Sequence, residues 1–284
     1  MKLRNAAKYF DDDYIVDGYT GAYVFHAQWS NYDGANSFGS FERRRTVSVA
    51  PGTVPAPRRV VSIGGDLWIM GELVTDTFKD RPIRLTSSAK KVTDDYMLLT
   101  PGQAALRQTT GTALYGHTKY LKDTVNSVTD SDYTPFYDVA LAGTEPVRDG
   151  MFLRSADKLL HIRSAYKELE GFWNAASDEV ATNYEGAPVS PAEVNVVFEG
   201  VRNPITEIPA AGVSTTGIML DMYMLYAYQT QADSLNRQGD VSLVVAKSAV
   251  TPLAGQLATV NGEAWRVFRF TPYQDAWNLH LRRA

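Results

Sequence analysis

The chain has no cysteine, which excludes disulfides and thiolate metal sites. Packing alone must then hold the fold, and 284 residues supply a core large enough for that. Long hydrophobic runs are missing too. Nothing approaches the ~18 apolar residues of a membrane span; the longest candidate, Ile218 to Tyr228, is broken by Asp221. The opening MKLRNAAKYFDDD lacks the apolar segment of a signal peptide, so a soluble, unsecreted product is expected. Nor is there an excess of basic charge. The net charge is −4, which excludes the whole-protein positive field that gathers nucleic acid. The local clusters Arg43-Arg44-Arg45, Arg58-Arg59 and Arg282-Arg283 read as solvated faces or strand-edge charges that block sheet-to-sheet pairing.

Motifs that carry chemistry are equally scarce. The four histidines, His26, His117, His161 and His280, include no pair at metal-ligand spacing. His161 and His280 fall on the polar side of expected strands and are expected to be exposed. There is no G-x-S-x-G elbow and no phosphate-cradling G-x-x-x-x-G-K-[ST] loop. Asp11-Asp12-Asp13 would need further oxygens to hold Ca²⁺. Asp130 and Asp132 lack the Gly and Glu that complete a calcium loop. No catalytic residue, cofactor or metal is assigned, and a non-enzymatic protein is expected.

What is present is a repeat. TVNGEAWRVFRF, Thr259 to Phe270, echoes SIGGDLWIMGEL, Ser62 to Leu73. Gly65 aligns with Gly262 and Trp68 with Trp265, an offset of 197. Held without gaps, that offset also superposes Pro55 on Pro252, Val47 on Val244, Ser37 on Ser234 and Ala35 on Ala232. A period this long points to a duplicated domain, since solenoid repeats run to ~20–50 residues. Each unit reads as β. Asn261-Gly262 is a strong two-residue hairpin turn, because both central residues of that turn need positive φ; Gly64-Gly65 can make the same turn. Trp277, Leu279 and Leu281 alternate with Asn278, His280 and Arg282, a strand with one buried face. Ile83 and Leu85 flank Arg84 in the same way.

The stretch between the copies is expected to be irregular and largely β. Met151 and Leu153 begin a short strand, Ala156-Asp157 fits a turn, and Leu160, Ile162 and Tyr166 line a return strand. Another strand runs through Val194, Val196 and Phe198. Helix signals are thin, at Glu168 to Ala181 and Gln103 to Val125, where glycine and threonine lower the propensity. The expected fold is therefore mainly β. It comprises two small β-barrel or sandwich domains, 1–94 and 206–284, duplicates of each other, and a middle segment, 95–205, with a β-hairpin and long loops.

Aromatics divide into two groups. Trp68, Trp265 and Trp277 suit barrel cores, with Gly65, Gly262, Leu279 and Leu281 as fold-defining turn and core positions. Trp29, Tyr32, Phe38, Phe41, Tyr133, Phe136 and Tyr137 lie in polar, turn-rich sequence and are the candidate interface residues.

The ending NGEAWRVFRF, a short loop, then AWNLHLRRA resembles the small β-barrel head–tail joining proteins of tailed bacteriophages, the adaptors and stoppers of the neck. Their Gly turn, aromatic-x-Val strand and final L-x-L strand with a basic residue fall here on Gly262, Trp265, Val267, Leu279, Leu281 and Arg282. Those proteins are usually near half this length with one barrel. The resemblance implies a virion structural protein, made in the host bacterial cytoplasm, that forms a ring of its own copies. Its partners would be portal, connector or tail proteins, with genomic DNA passing through the channel without sequence-specific binding, and no membrane. Two other classes fit an aromatic-rich β protein. One is a carbohydrate-binding or -cleaving receptor module of the tail, which needs exposed Trp and Tyr beside two carboxylates. The other is a capsid decoration protein.

Overall fold

A computed structural model describes residues 13–31, 44–63, 65–121, 136–181, 191–200, 211–221 and 240–284. The chain is mainly β, as its patterning indicates, and its strands close into three consecutive barrels. The first is built from β1 (Asp13–Asp17), β2 (Tyr23–Asn31), β3 (Arg44–Val49), β4 (Val60–Ile63), β5 (Asp66–Met70), β6 (Val74–Phe78) and β7 (Arg81–Lys91). Its strands pair in the order β3-β2-β1-β4-β5-β7. A β3–β7 ladder closes the ring, and β6 lies on the far end of β7. The second uses β8 (Asp94–Leu99), β9 (Thr112–Leu121), β10 (Phe136–Leu141), β11 (Phe152–Arg154), β12 (Leu159–Lys167) and β13 (Trp173–Glu179). The third uses β14 (Ala192–Phe198), β15 (Val213–Asp221), β16 (Val241–Ala246), β17 (Leu257–Val260), β18 (Glu263–Tyr273) and β19 (Ala276–Arg283).

All three barrels have one topology. Number the strands of each from first to sixth, with β5 and β6 together as the fifth of the first barrel. Around every ring the order is then 1-2-3-6-5-4, returning to 1. The ladders agree in detail. The fifth strand bulges just after Ile162 in the second barrel and just after Val267 in the third. In the first barrel the same place is the break Gly71 to Leu73, between β5 and β6. Closure by strand pairing removes open sheet edges.

The middle segment is thus a complete barrel. Its third-barrel neighbour begins at β14, which pairs with β15 and β17. Where weak helix signals lay, the structure has β9 and β13, with a single helical turn, α1 (Pro101–Ala105), capped reciprocally by Thr100 and Gln103. Gly65 and Gly262 have φ of 89° and 91° and Asn261 has φ of 46°, the positive values that a two-residue hairpin turn requires. One of the aligned identities is out of phase. Val47 faces the first core, whereas Val244 faces outward into a different cluster; Leu243 is its true counterpart. A one-residue insertion therefore lies between the third and fourth strands.

Each barrel has its own core. Val47, Val49, Val61, Trp68 and Met70 fill the first. Leu98, Leu114, Val139, Leu141, Leu153, Leu160 and Ile162 fill the second. Val194, Val196, Phe198, Leu243, Trp265, Val267, Leu279 and Leu281 fill the third, with Trp277 partly buried against them. Among the described residues no helix is long and apolar enough to cross a membrane.

Candidate functional interfaces

The barrels are joined by their outer faces. In the first barrel Val60 and Ile69 are cross-strand partners on β4 and β5 whose neighbours Val61 and Trp68 point inward. Val60 and Ile69 therefore point outward, yet both are fully buried, packed against Ala142 and Phe172 of the second barrel. Burying a large apolar side chain stabilises by about 1.5–3 kcal/mol, so this small cluster fixes the joint firmly. Polar contacts surround it. Arg58 sits over the Tyr19 ring at 3.8 Å from its centre, gives its Nε proton to Glu145 Oε1 at 2.9 Å and an Nη2 proton to the Ala113 carbonyl at 2.6 Å. Burial pushes the Tyr19 hydroxyl up to about 12, against the lowering effect of Arg58.

The grip on the first barrel comes from the turn between the fifth and sixth strands of the second. Lys90 Nζ meets Glu168 at 3.1 Å and sits 4.7 Å from the Phe172 ring centre. Ser88 donates to Glu170 Oε2 at 2.7 Å, and the Glu72 amide donates to the Glu170 carbonyl at 2.7 Å. Lys167 holds the Glu72 carboxyl below its ordinary range through a 2.8 Å ion pair.

The second joint repeats the first. Phe152 and His161, cross-strand partners on β11 and β12, are the counterparts of Val60 and Ile69. Phe152 and Leu159 are buried with Ile218, Leu220, Val244 and Ala276 of the third barrel. The fifth-to-sixth turn of that barrel again makes the grip. Asp275 accepts from the Gly102 amide at 2.9 Å and from the Thr100 hydroxyl at 2.5 Å. Thr216 donates to the Ala105 carbonyl at 2.5 Å, and Arg154 pairs with Glu193 at 3.0 Å. Tyr273 lies against Gly150, where a Cβ would fall on its hydroxyl.

Several residues that look like surface charges serve these contacts or internal ones. Arg58 of the Arg58-Arg59 pair serves the first joint. Arg282 chelates Asp240 with Nε at 3.0 Å and Nη2 at 2.9 Å, while His280 Nε2 bonds the same carboxylate at 2.8 Å. His280 is buried, which lowers its pKa, while Asp240 works in the opposite direction. His161 is buried too, its ring centre 5.0 Å from that of Phe152 in a tilted contact, and burial with help from Arg163 pushes it down to about 4. Both histidines thus depart from the exposed placement that alternation suggests. They do face outward, but His161 lies beside Phe152 at the second joint, and His280 is covered within its own barrel by Asp240 and Phe268.

Of the candidate interface aromatics, Tyr32, Phe38, Phe41 and Tyr133 lie outside the described residues, and Trp29 is described only as a backbone partner of Val47. Phe136 and Tyr137 open strand β10 instead of occupying a loop. Tyr137 packs on the second core, donates to Glu179 at 2.8 Å, and its hydroxyl is raised by burial and by that carboxylate. Phe136 lies 5.2 Å from the Arg163 guanidinium. Trp68, Trp265, Leu279 and Leu281 are core residues. Asp11, Asp12, Asp130 and Asp132 are also outside the described residues. Among the described residues no three His, Asp or Glu side chains converge as a metal group would. The exposed aromatics Phe78 and Phe268 were not among the candidate interface residues, although each sits in a strand next to charged residues. Comparison with protein-family models, curated proteins and solved structures returns no match.

Proposed function

We propose that this protein is a non-enzymatic structural component of a virus particle, working at the head–tail junction or upper tail as a ring of its own copies around the DNA channel. Portal, connector or tail proteins are its neighbours, and the genome passes without sequence-specific contact. The observation that carries this reading is that the chain is one barrel made three times and joined twice through the same outer face. Such a molecule is organised around contact. Head-to-tail contact is also what ring assembly demands, since each subunit then needs two different faces. The resemblance of the final Gly262 turn, Trp265 strand and Leu279–Leu281 strand to neck-protein endings supports the placement.

The test is native mass spectrometry and negative-stain microscopy of the purified chain mixed with the portal protein of the same virus. A ring that binds the portal is the expected result. A chain with no affinity for any neck component contradicts the proposal.

A further inference from the structure

Each internal joint has two halves. One is an outer face on the fourth and fifth strands of the leading barrel. The other is the fifth-to-sixth-strand hairpin of the following barrel. Among the described residues three barrels make two joints, and one hairpin and one face take part in neither. The spare hairpin is β6–β7, at the start of the chain. The spare face is formed by β14, β17 and β18, at its end.

The spare hairpin is built to grip something. Its two siblings place Phe172 and Ala276 under the preceding barrel, both fully buried. Here Val74, Phe78 and Ile83 are 61%, 63% and 44% exposed. Counted from the turn, Phe78 and Asp80 stand where Tyr273 and Asp275 stand in the third barrel, because Phe78 pairs with Arg81 as Tyr273 pairs with Ala276. Tyr273 and Asp275 are the residues that hold the second barrel. The turn is fixed in shape, with Lys79 and Asp80 at φ of 49° and 59° and an Arg84–Asp76 ion pair across the strands.

The spare face matches. Leu257 and Arg266 are its cross-strand pair at the position of Val60–Ile69 and Phe152–His161. Val197, the counterpart of Met97 in the second joint, is 44% exposed; Thr259 and Ala264 continue its row across the ladder. In both internal joints the hairpin brings carboxylates, Glu168 and Glu170 or Asp275, to amide, hydroxyl or ammonium donors. On the spare face Arg266 is exposed, and the spare turn carries Asp80.

We propose that copies of this chain dock head to tail, the β6–β7 hairpin of one molecule seated on the β14–β17–β18 face of the next. The contact between molecules then repeats the joint made twice within each. This names the self-contact of the assembly and rests on the reading that the protein works as an oligomer. Because hairpin and face are different surfaces, the contact is heterologous and either closes into a ring or runs on as a filament.

The experiment is sedimentation velocity on the full chain over a broad concentration range. Phe78→Asp removes the hairpin's anchor, and Val197→Asp charges the face; Ile83→Lys is a second hairpin variant. All three positions are exposed, so thermal melts are expected to match wild type. The wild-type chain is expected to form concentration-dependent species larger than a monomer, and each variant to associate at least tenfold more weakly. An equimolar mixture of Phe78→Asp and Val197→Asp chains is expected to form a two-chain species and nothing larger, since only one good contact remains. An oligomer that persists unchanged in all variants overturns this contact while leaving the ring reading intact. A wild-type chain that stays monomeric overturns the contact as well, and portal binding, measured separately, decides whether the ring reading falls with it.

Discussion

Val60 and Phe152 occupy the same position in successive barrels, and each is sealed beneath the barrel that follows. Each is an outward residue of the fourth strand, beside a carbonyl or ladder contact to the first strand and across from the fifth. Neither contributes to its own barrel's core. The described chain is thus three copies of one fold joined by two copies of one contact.

The first joint depends on Arg58. Arg58→Ala leaves Glu145, a buried carboxylate, without its guanidinium and removes the stacking on Tyr19. The expected loss is about 2 kcal/mol, reduced from the value for a fully buried pair because Arg58 is itself one-third exposed. Arg58→Lys keeps the charge but cannot reach Glu145 and the Ala113 carbonyl from one plane, so it recovers less than half of that. Urea denaturation reports both.

The second joint depends on Gly150. Its φ is +77°, and a Cβ would strike the Tyr273 hydroxyl. Gly150→Ala is expected to cost about 3 kcal/mol through strain and overpacking. Adding Tyr273→Phe to that variant removes the clashing oxygen and restores part of the loss, whereas Tyr273→Phe alone changes little. A double-mutant cycle in urea measures the coupling.

The Asn261-Gly262 turn gives a contrasting case. A Cβ on Gly262 meets nothing within 4 Å, yet the residue has φ of +91°. Gly262→Ala is expected to cost about 1 kcal/mol from backbone strain alone. A loss several times larger in thermal melts would mean that the turn is packed by something else.

His161 makes stability depend on pH. Its folded pKa, about 4, lies below the ordinary 6.5. The unfolded chain therefore binds a proton first as pH falls, and the contribution of His161 is complete above about 6.5 and is lost progressively toward 4. Integrated over that window the loss is on the order of 3 kcal/mol. Asp178, its cross-strand neighbour, has a carboxyl raised by burial despite Arg163 and works in the opposite sense, gaining stability on protonation. The difference between wild type and His161→Gln isolates the histidine. That difference is expected to shrink as pH falls from 7 to 4, and a constant difference contradicts the assignment.

The two outer barrels were legible because their hairpins carry turn residues that demand positive φ, and because Trp265 or Leu279 alternates with polar neighbours. The middle barrel was legible only in its β11–β12 hairpin, through Leu153, Leu160 and Ile162. Its β13 is buried on both faces, so its pattern never alternates, and with β9 it lay where weak helix signals were read. Burial on both faces also hid the joints. Val60-Val61 and Leu67 to Met70 are unbroken apolar runs, the mark of strands covered on both sides. The same logic misplaced His161 and His280, since alternation identifies the outward side and cannot reveal what lies over it.

The absence of native cysteine makes the decisive measurement clean. Gly255 holds in the third barrel the place that Gly150, the contact of Tyr273, holds in the second. Phe78→Cys is prepared in one batch of protein and Gly255→Cys in another; the two are mixed and mildly oxidised, and the yield of mixed disulfide is read by mass spectrometry. Asp157→Cys, on an exposed turn of the middle barrel, replaces Gly255→Cys in the control mixture. Head-to-tail docking predicts strong crosslinking of position 78 to position 255 and only background to position 157. Equal yields at the two positions would contradict it.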